Sequence, residues 1–190
     1  MTRITPITDK AQLPPEQQHE WDAIAAERGR VRGPFGVMLH SPGLSMGFLS
    51  SVHHAHGNGV VSDALHELAI LAVAYEDDAP FQWSTHITSA RAAGLREAAI
   101  EAARTGGDVS KLDDDERDVI ELCRQLCRTN RVEQTLFHAL LARHGERWVI
   151  MTVATVGLYR YVAAFNNAFE IDVVEGDDQL PVRRAFGGVG

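Results

Sequence analysis

The segment 148–169, WVIMTVATVGLYRYVAAFNNAF, constrains this chain most. It has helical length, lacks strand-like alternation and is apolar on nearly every face. A helix apolar all round must be covered on all sides. In a chain of 190 residues, that cover points to a subunit interface, so a homo-oligomer is expected. The uncharged run 148–159 is far shorter than the roughly 20 residues needed to cross a bilayer.

The rest of the chain reads as helical too. The fold class is all-α, with seven or eight helices in a single domain over 1–190, a core at about 15–170 and a tail at 173–190. Pro15 and Gly29 bracket a first helix with Trp21 and Ile24 on its buried stripe. Residues 30–44 read as an ordered loop leading into a helix over 44–56, with Ser41 as its cap and Pro42 at its first position. Ser62 caps a helix over 63–75, the run 76–80 breaks it, and Pro80 restarts a helix that ends at Gly94. Segments 96–104, 113–128, 132–143 and 146–168 complete the set. The acidic, then basic, then Gly-rich tail reads as loosely ordered or partner-bound.

Composition narrows the function. Lys plus Arg is 18 and Asp plus Glu is 26, giving a net charge of −8. Coating nucleic acid or an anionic membrane requires a basic surface, so neither is expected as a partner. The N-terminus carries no apolar run resembling a secretory signal, and the expected location is the cytoplasm. Cys123 and Cys127 are spaced to stack one turn apart on a helix, unlike a Cys-x-x-Cys redox pair. They read as small core residues.

Polar chemistry is densest in 66–91, HELAILAVAYEDDAPFQWSTHITSAR. Glu67 lies among apolar neighbours, where a carboxylate is costly unless something donates to it. Gln82 and His86 are four apart and share a helical face, with Trp83 beside them. If the two helices form a hairpin, Glu67 and His86 can meet and exchange a proton near neutral pH. A helix-to-helix hydrogen bond with no catalysis is the plainer alternative. His53, His54 and His56 form a second cluster of a metal-binding residue type. It lacks a clear carboxylate or third ligand and reads as a solvated helix end, so no metal is expected.

Segment 63–104 resembles the carboxymuconolactone decarboxylase and alkylhydroperoxidase D superfamily. In the peroxidase branch, a Glu is followed by eleven residues, Cys-x-x-Cys, three residues and a His. Here Glu67 and His86 occupy the outer positions, while Ala79 and Gln82 stand where the cysteines would be. The cysteine-free, decarboxylase-like branch often reads Trp-x-x-His, matched by Trp83 and His86. The loop 33–44, the turn 90–95, the helix start at 112–122 and the end at 159–169 extend the resemblance over most of 15–170.

The resemblance implies a helical fold in trimers or hexamers. It also implies a carboxy-lyase needing no cofactor and acting on a small carboxylated lactone such as 4-carboxymuconolactone. In that scheme His86 donates the proton and Glu67 orients it. Trp83 walls the site, Gln82 touches the substrate, His40 either touches it or braces its own loop, and Arg32 or Arg91 anchors a carboxylate of the small anionic substrate. The other readings are a non-catalytic oligomer that binds a small aromatic-derived acid, and a peroxidase-related stress protein.

Overall fold

Ser62 has extended backbone, and its hydroxyl accepts from the Leu65 amide, which starts the helix around which the others pack. The computed structural model describes residues 2–41, 43–56, 59–173, 176 and 178–180. Among them are nine α-helices, two short 3-10 turns and no strand. The helices are α1 (Gln18–Arg28), α2 (Pro34–Met38), α3 (Leu44–Ala55), α4 (Asp63–Glu76) and α5 (Pro80–Ala92), then α6 (Glu97–Thr105), α7 (Asp114–Thr129), α8 (Gln134–His144) and α9 (Glu146–Ala168).

The central element is α4, which packs against α5, α6, α7 and α9. Leu68, Ile70, Leu71 and Val73 are fully buried, although they point in different directions around the helix. A helix enclosed this way gains roughly 1.5–3 kcal/mol for each large apolar side chain removed from water. It also carries Glu67 and His66 into the interior.

Local chemistry sets most boundaries. Pro80 occupies the first turn of α5, where its missing N–H costs nothing. Asp113 and Glu116 form a capping box at the start of α7. Two expectations are corrected. The loop over 30–44 contains α2, a five-residue helix too short to show a 3.6-residue period. The helix read over 44–56 runs Leu44–Ala55, but its cap is Gly43 and not Ser41; Pro42 lies outside the described residues. Gly43 has φ of 80° and donates its N–H to the buried Glu20 carboxylate of α1, which fixes that start.

Most of the tail lies outside the described residues, but Asp178 to Leu180 dock against the helices. Asp178 pairs with Arg91 (2.7 Å) and Arg104 (2.6 Å), and Leu180 is buried. On α9, Trp148, Val149, Val156, Tyr159 and Val162 face the core, while Ile150 is 64% exposed. One side of the helix expected to be covered all round is therefore open in the single chain.

Truncating the centre of α4 tests this arrangement. Leu71→Ala should lower the unfolding free energy by about 2–5 kcal/mol, the usual cost of a large-to-small change in a closed core. Chemical denaturation with an unchanged m-value would measure it.

Candidate active site

α4 and α5 form the expected hairpin, and Glu67 meets His86 across it. His86 Nδ1 lies 2.9 Å from Glu67 Oε2, with both side chains largely buried. Burial pushes the Glu67 carboxyl up. The His86 hydrogen bond and the neighbouring charges of His86, His66 and His56 outweigh it and hold the carboxyl below its usual range. An ionised carboxylate only accepts hydrogen bonds, so Nδ1 carries the shared hydrogen and Nε2 is the ring atom left for exchange.

The pair lines a cavity of about 360 Å³. Its buried end includes Gln82 and Asn166, its apolar walls include Phe35, Phe48 and Phe81, and its exposed rim carries Arg28, Arg30 and Arg32. Gly33, at φ 59°, sits so close to the Phe81 ring that a Cβ would collide with it. This contact keeps the arginine-bearing loop against α5. None of the three arginines forms an ion pair among the described residues, whereas Glu27 beside them pairs with His53 at 3.3 Å. Burial, then the positive charges of Arg30 and Arg28, hold the Arg32 guanidinium below its ordinary range.

A chain of aromatic groups runs from His86 along the cavity wall and into the core. The Tyr159 ring meets His86 edge-on at 5.2 Å, and its hydroxyl lies 2.7 Å from His56 Nε2. His56 in turn packs on His66 at 4.3 Å. Burial first, and the neighbouring imidazoles next, lower His56 and His66 to about 4. Both rings are therefore neutral at pH 7. Burial pushes the Tyr159 phenol well up, so it keeps its proton.

The structure does not bring every sequence-selected residue here. Glu67, His86, Gln82 and Arg32 line the cavity. Trp83 does not: it is fully buried on another face of α5, its Nε1 donates to Asp178 (3.2 Å), and Arg104 stacks over its ring at 4.7 Å. Adjacent helical residues project about 100° apart, which separates it from Gln82. Arg91 also lies away from the cavity, tied to Glu97 (2.6 Å) and Asp178. His40 braces a loop elsewhere, with Nε2 at 2.9 Å from the Thr5 carbonyl.

The histidine cluster splits among three partners: His53 to Glu27, His54 to the Ser50 carbonyl and His56 to Tyr159. Among the described residues no three metal-ligating side chains converge. Cys123 and Cys127 lie in the core or against it, away from the cavity. Burial raises the Cys123 thiol well above its usual range and Cys127 to about 12.

Sequence reasoning missed Arg28, Arg30, Tyr159 and Asn166, and it read His56, which lines the cavity, as part of a solvated helix end. Some signal was present. Three arginines alternate within five residues of an acidic chain. Tyr159 and Asn166 are seven apart, two turns along one face of an apolar helix.

Several solved structures share this architecture. An alkylhydroperoxidase D core, an uncharacterised peroxidase-related protein from Ralstonia eutropha JMP134, superposes with a TM-score of 0.73 at 16% identity, covering 92% of this chain and 93% of that one. An uncharacterised peroxidase-related protein from Silicibacter sp. TM1040 gives 0.71 at 17% identity, with 90% and 91% covered. The debrominase Bmp8, as a cysteine-to-alanine variant with 2,3,4-tribromopyrrole, gives 0.68 at 13% identity, with 92% and 94% covered. No protein-family model matches the chain, and no curated protein matches it. The chain has the alkylhydroperoxidase D-like fold, and proteins of that fold include an enzyme, the debrominase.

The two lowered histidines set a pH dependence. Their unfolded value is near 6.5 and their folded value about 4, so the unfolded chain binds the extra protons first as pH falls. Stability should be fully present above about pH 6.5 and decline between there and pH 4. Glu67, whose folded value is also lowered, adds to the loss at the acidic end. For His66 alone the loss is about 3 kcal/mol. Melting temperatures across pH 4–8 should show the slope, and His66→Gln should flatten it.

Proposed function

We propose that this cavity is the active site of a carboxy-lyase acting on a small carboxylated lactone such as 4-carboxymuconolactone. The observation that carries the reading is the 2.9 Å contact between His86 and Glu67 at the wall of a cavity whose rim holds three arginines without carboxylate partners. A carboxylate that stays on the product needs a fixed cation, and a guanidinium can hold it through two parallel hydrogen bonds. Arg32, with Arg28 and Arg30 beside it, supplies that cation in our scheme.

The carboxylate that leaves needs the opposite environment. Phe35, Phe48 and Phe81 offer it poor solvation, a role they take in place of Trp83. The bond from ring carbon to carboxylate breaks, carbon dioxide departs, and the electron pair spreads toward the lactone carbonyl. His86 Nε2–H then gives its proton to carbon and is reprotonated from solvent. Glu67 stabilises the protonated ring and fixes which nitrogen faces the substrate. General acid catalysis of this kind contributes about 10²–10⁴-fold, roughly 3–5 kcal/mol. Position and the arginine field supply the remainder. The thiol-peroxidase alternative finds no support at the cavity, because no cysteine lines it.

Carbon dioxide release from 4-carboxymuconolactone tests the assignment. The unmodified protein should release it, and His86→Ala should stay folded yet lose about 10²–10⁴-fold in kcat. Glu67→Gln should fall between the two. Full activity in a folded His86→Ala protein would remove His86 from the reaction, and no release by the unmodified protein would remove the lyase reading.

The same reading includes self-association. Ile150, Val153, Ala154, Gly157, Tyr161 and Ala164 form an exposed stripe along α9 with helical spacing. A second copy of this chain is the occupant we propose, in a trimer or hexamer. Sedimentation velocity should show the larger species, and Ile150→Asp should shift it toward the monomer.

A further inference from the structure

We infer that Gln82 and Asn166 form the inner subsite of the cavity, and that it takes a hydroxyl group of the ligand. The inference rests on the reading of the cavity as the substrate site and narrows the carboxylated-lactone class to members that also carry a hydroxyl. Both residues line the cavity, and they are 1% and 2% exposed. Gln82 Nε2 donates to the Ile70 carbonyl at 2.9 Å, which fixes the amide's orientation. Its Oε1 is left with no partner. Both Asn166 amide atoms, Nδ2 and Oδ1, also have none.

The contrast with neighbouring residues gives these orphaned atoms their meaning. Asn167, next on α9, has its amide satisfied by the Asp77 and Asp78 carbonyls at 3.0 and 3.2 Å. His66 also has an unpartnered nitrogen, but it does not line the cavity. A buried polar group without a partner costs the equivalent of about five- to 150-fold in an equilibrium constant. Gln82 Oε1 and Asn166 Nδ2 belong to residues that line one cavity, and they are explained together if one ligand group donates to the first and accepts from the second.

Their chemistry selects the group. Gln82 Oε1 can only accept, so the ligand must donate to it. Asn166 offers one donor and one acceptor, so the same ligand end can also accept. A hydroxyl does both, whereas a ketone or ester carbonyl would leave Gln82 unmet. Gln82 lies one turn from His86 on α5, so the hydroxyl end sits next to the acid/base pair, with the anionic end toward the arginine rim. The ligand class is a small hydroxy acid or its enol form.

Titration calorimetry at pH 7 with two rigid probes, 4-hydroxybenzoate and benzoate, tests this without turnover. The unmodified protein should bind the hydroxy acid at least about tenfold more tightly. Asn166→Leu and Gln82→Met, each close in volume to the original, should bring the ratio near one and leave benzoate affinity within about threefold. A purely structural role would weaken both acids together and preserve the ratio.

Equal affinities in the unmodified protein, a ratio that survives both substitutions, or no binding of either acid at millimolar concentration would overturn the subsite. The outcome separates from that of the lyase assay. An intact ratio with no carbon dioxide release keeps the subsite and removes the lyase, while release with equal affinities does the reverse.

Discussion

A carboxylate inside a helix bundle is tolerable only if something nearby donates to it. Glu67 sits on the helix that every major packing contact in this fold uses, so it cannot turn to solvent without dismantling the core. His86 meets the need from the next helix, and the short turn between α4 and α5 keeps the two in register. Burial pushes the Glu67 carboxyl up; the imidazole beside it and the neighbouring histidines more than reverse that shift. The same burial keeps His56 and His66 neutral. One anionic group is thus ringed by imidazoles, and the ring closest to it also lines the cavity. The stability of the bundle and the chemistry of the site draw on a single contact.

Charge placement over the rest of the chain sharpens the picture. The protein carries eight more acidic than basic residues, and its arginines are mostly engaged. Arg128 holds the buried Glu76, Arg96 holds Glu116, Arg143 holds Asp114, and Arg91 and Arg104 converge on Asp178. Against that background, Arg28, Arg30 and Arg32 cluster at one cavity rim with no ion pair among the described residues. Burial, and then the charges of Arg30 and Arg28, disfavour the Arg32 cation. An arrangement that raises electrostatic energy in the free protein is relieved when an anion arrives. That relief favours a ligand with a carboxylate at one end over a neutral one of similar shape.

How much of this was legible in the sequence follows from the range of each signal. Ser62, Pro80 and the Asp113–Glu116 box act within one helical turn, so element starts could be read directly. The Glu67–His86 meeting needed only the hairpin that a short break between two helices makes the default. The helix at Pro34–Met38 escaped because five residues hold too little periodicity. Trp83 was misplaced for a geometric reason: next to Gln82 in sequence, it faces the tail instead, and nothing local to α5 reveals that Asp178 would come to meet it. His40 takes the bracing role of its two alternatives, and the choice could not be read locally because its partner, Thr5, lies 35 residues away. Tyr159 and Asn166 lie on a helix that reads as uniformly greasy, and their shared face became meaningful only when α4 and α5 were placed against it.

That last helix shows how one segment meets two requirements. By length and composition α9 is apolar enough to cross a membrane, yet its inner side packs on α4 and delivers a phenol and an amide to the cavity. Its outer side presents Ile150, Val153 and Tyr161 to the surroundings. A helix that served only the core would have polar residues on that outer side, as α7 does with the exposed Asp114, Asp115 and Arg128. The near-uniform apolarity of α9 is therefore the sum of two faces with different partners. Tyr159 and Asn166 mark where the inner face stops being core and reaches the cavity.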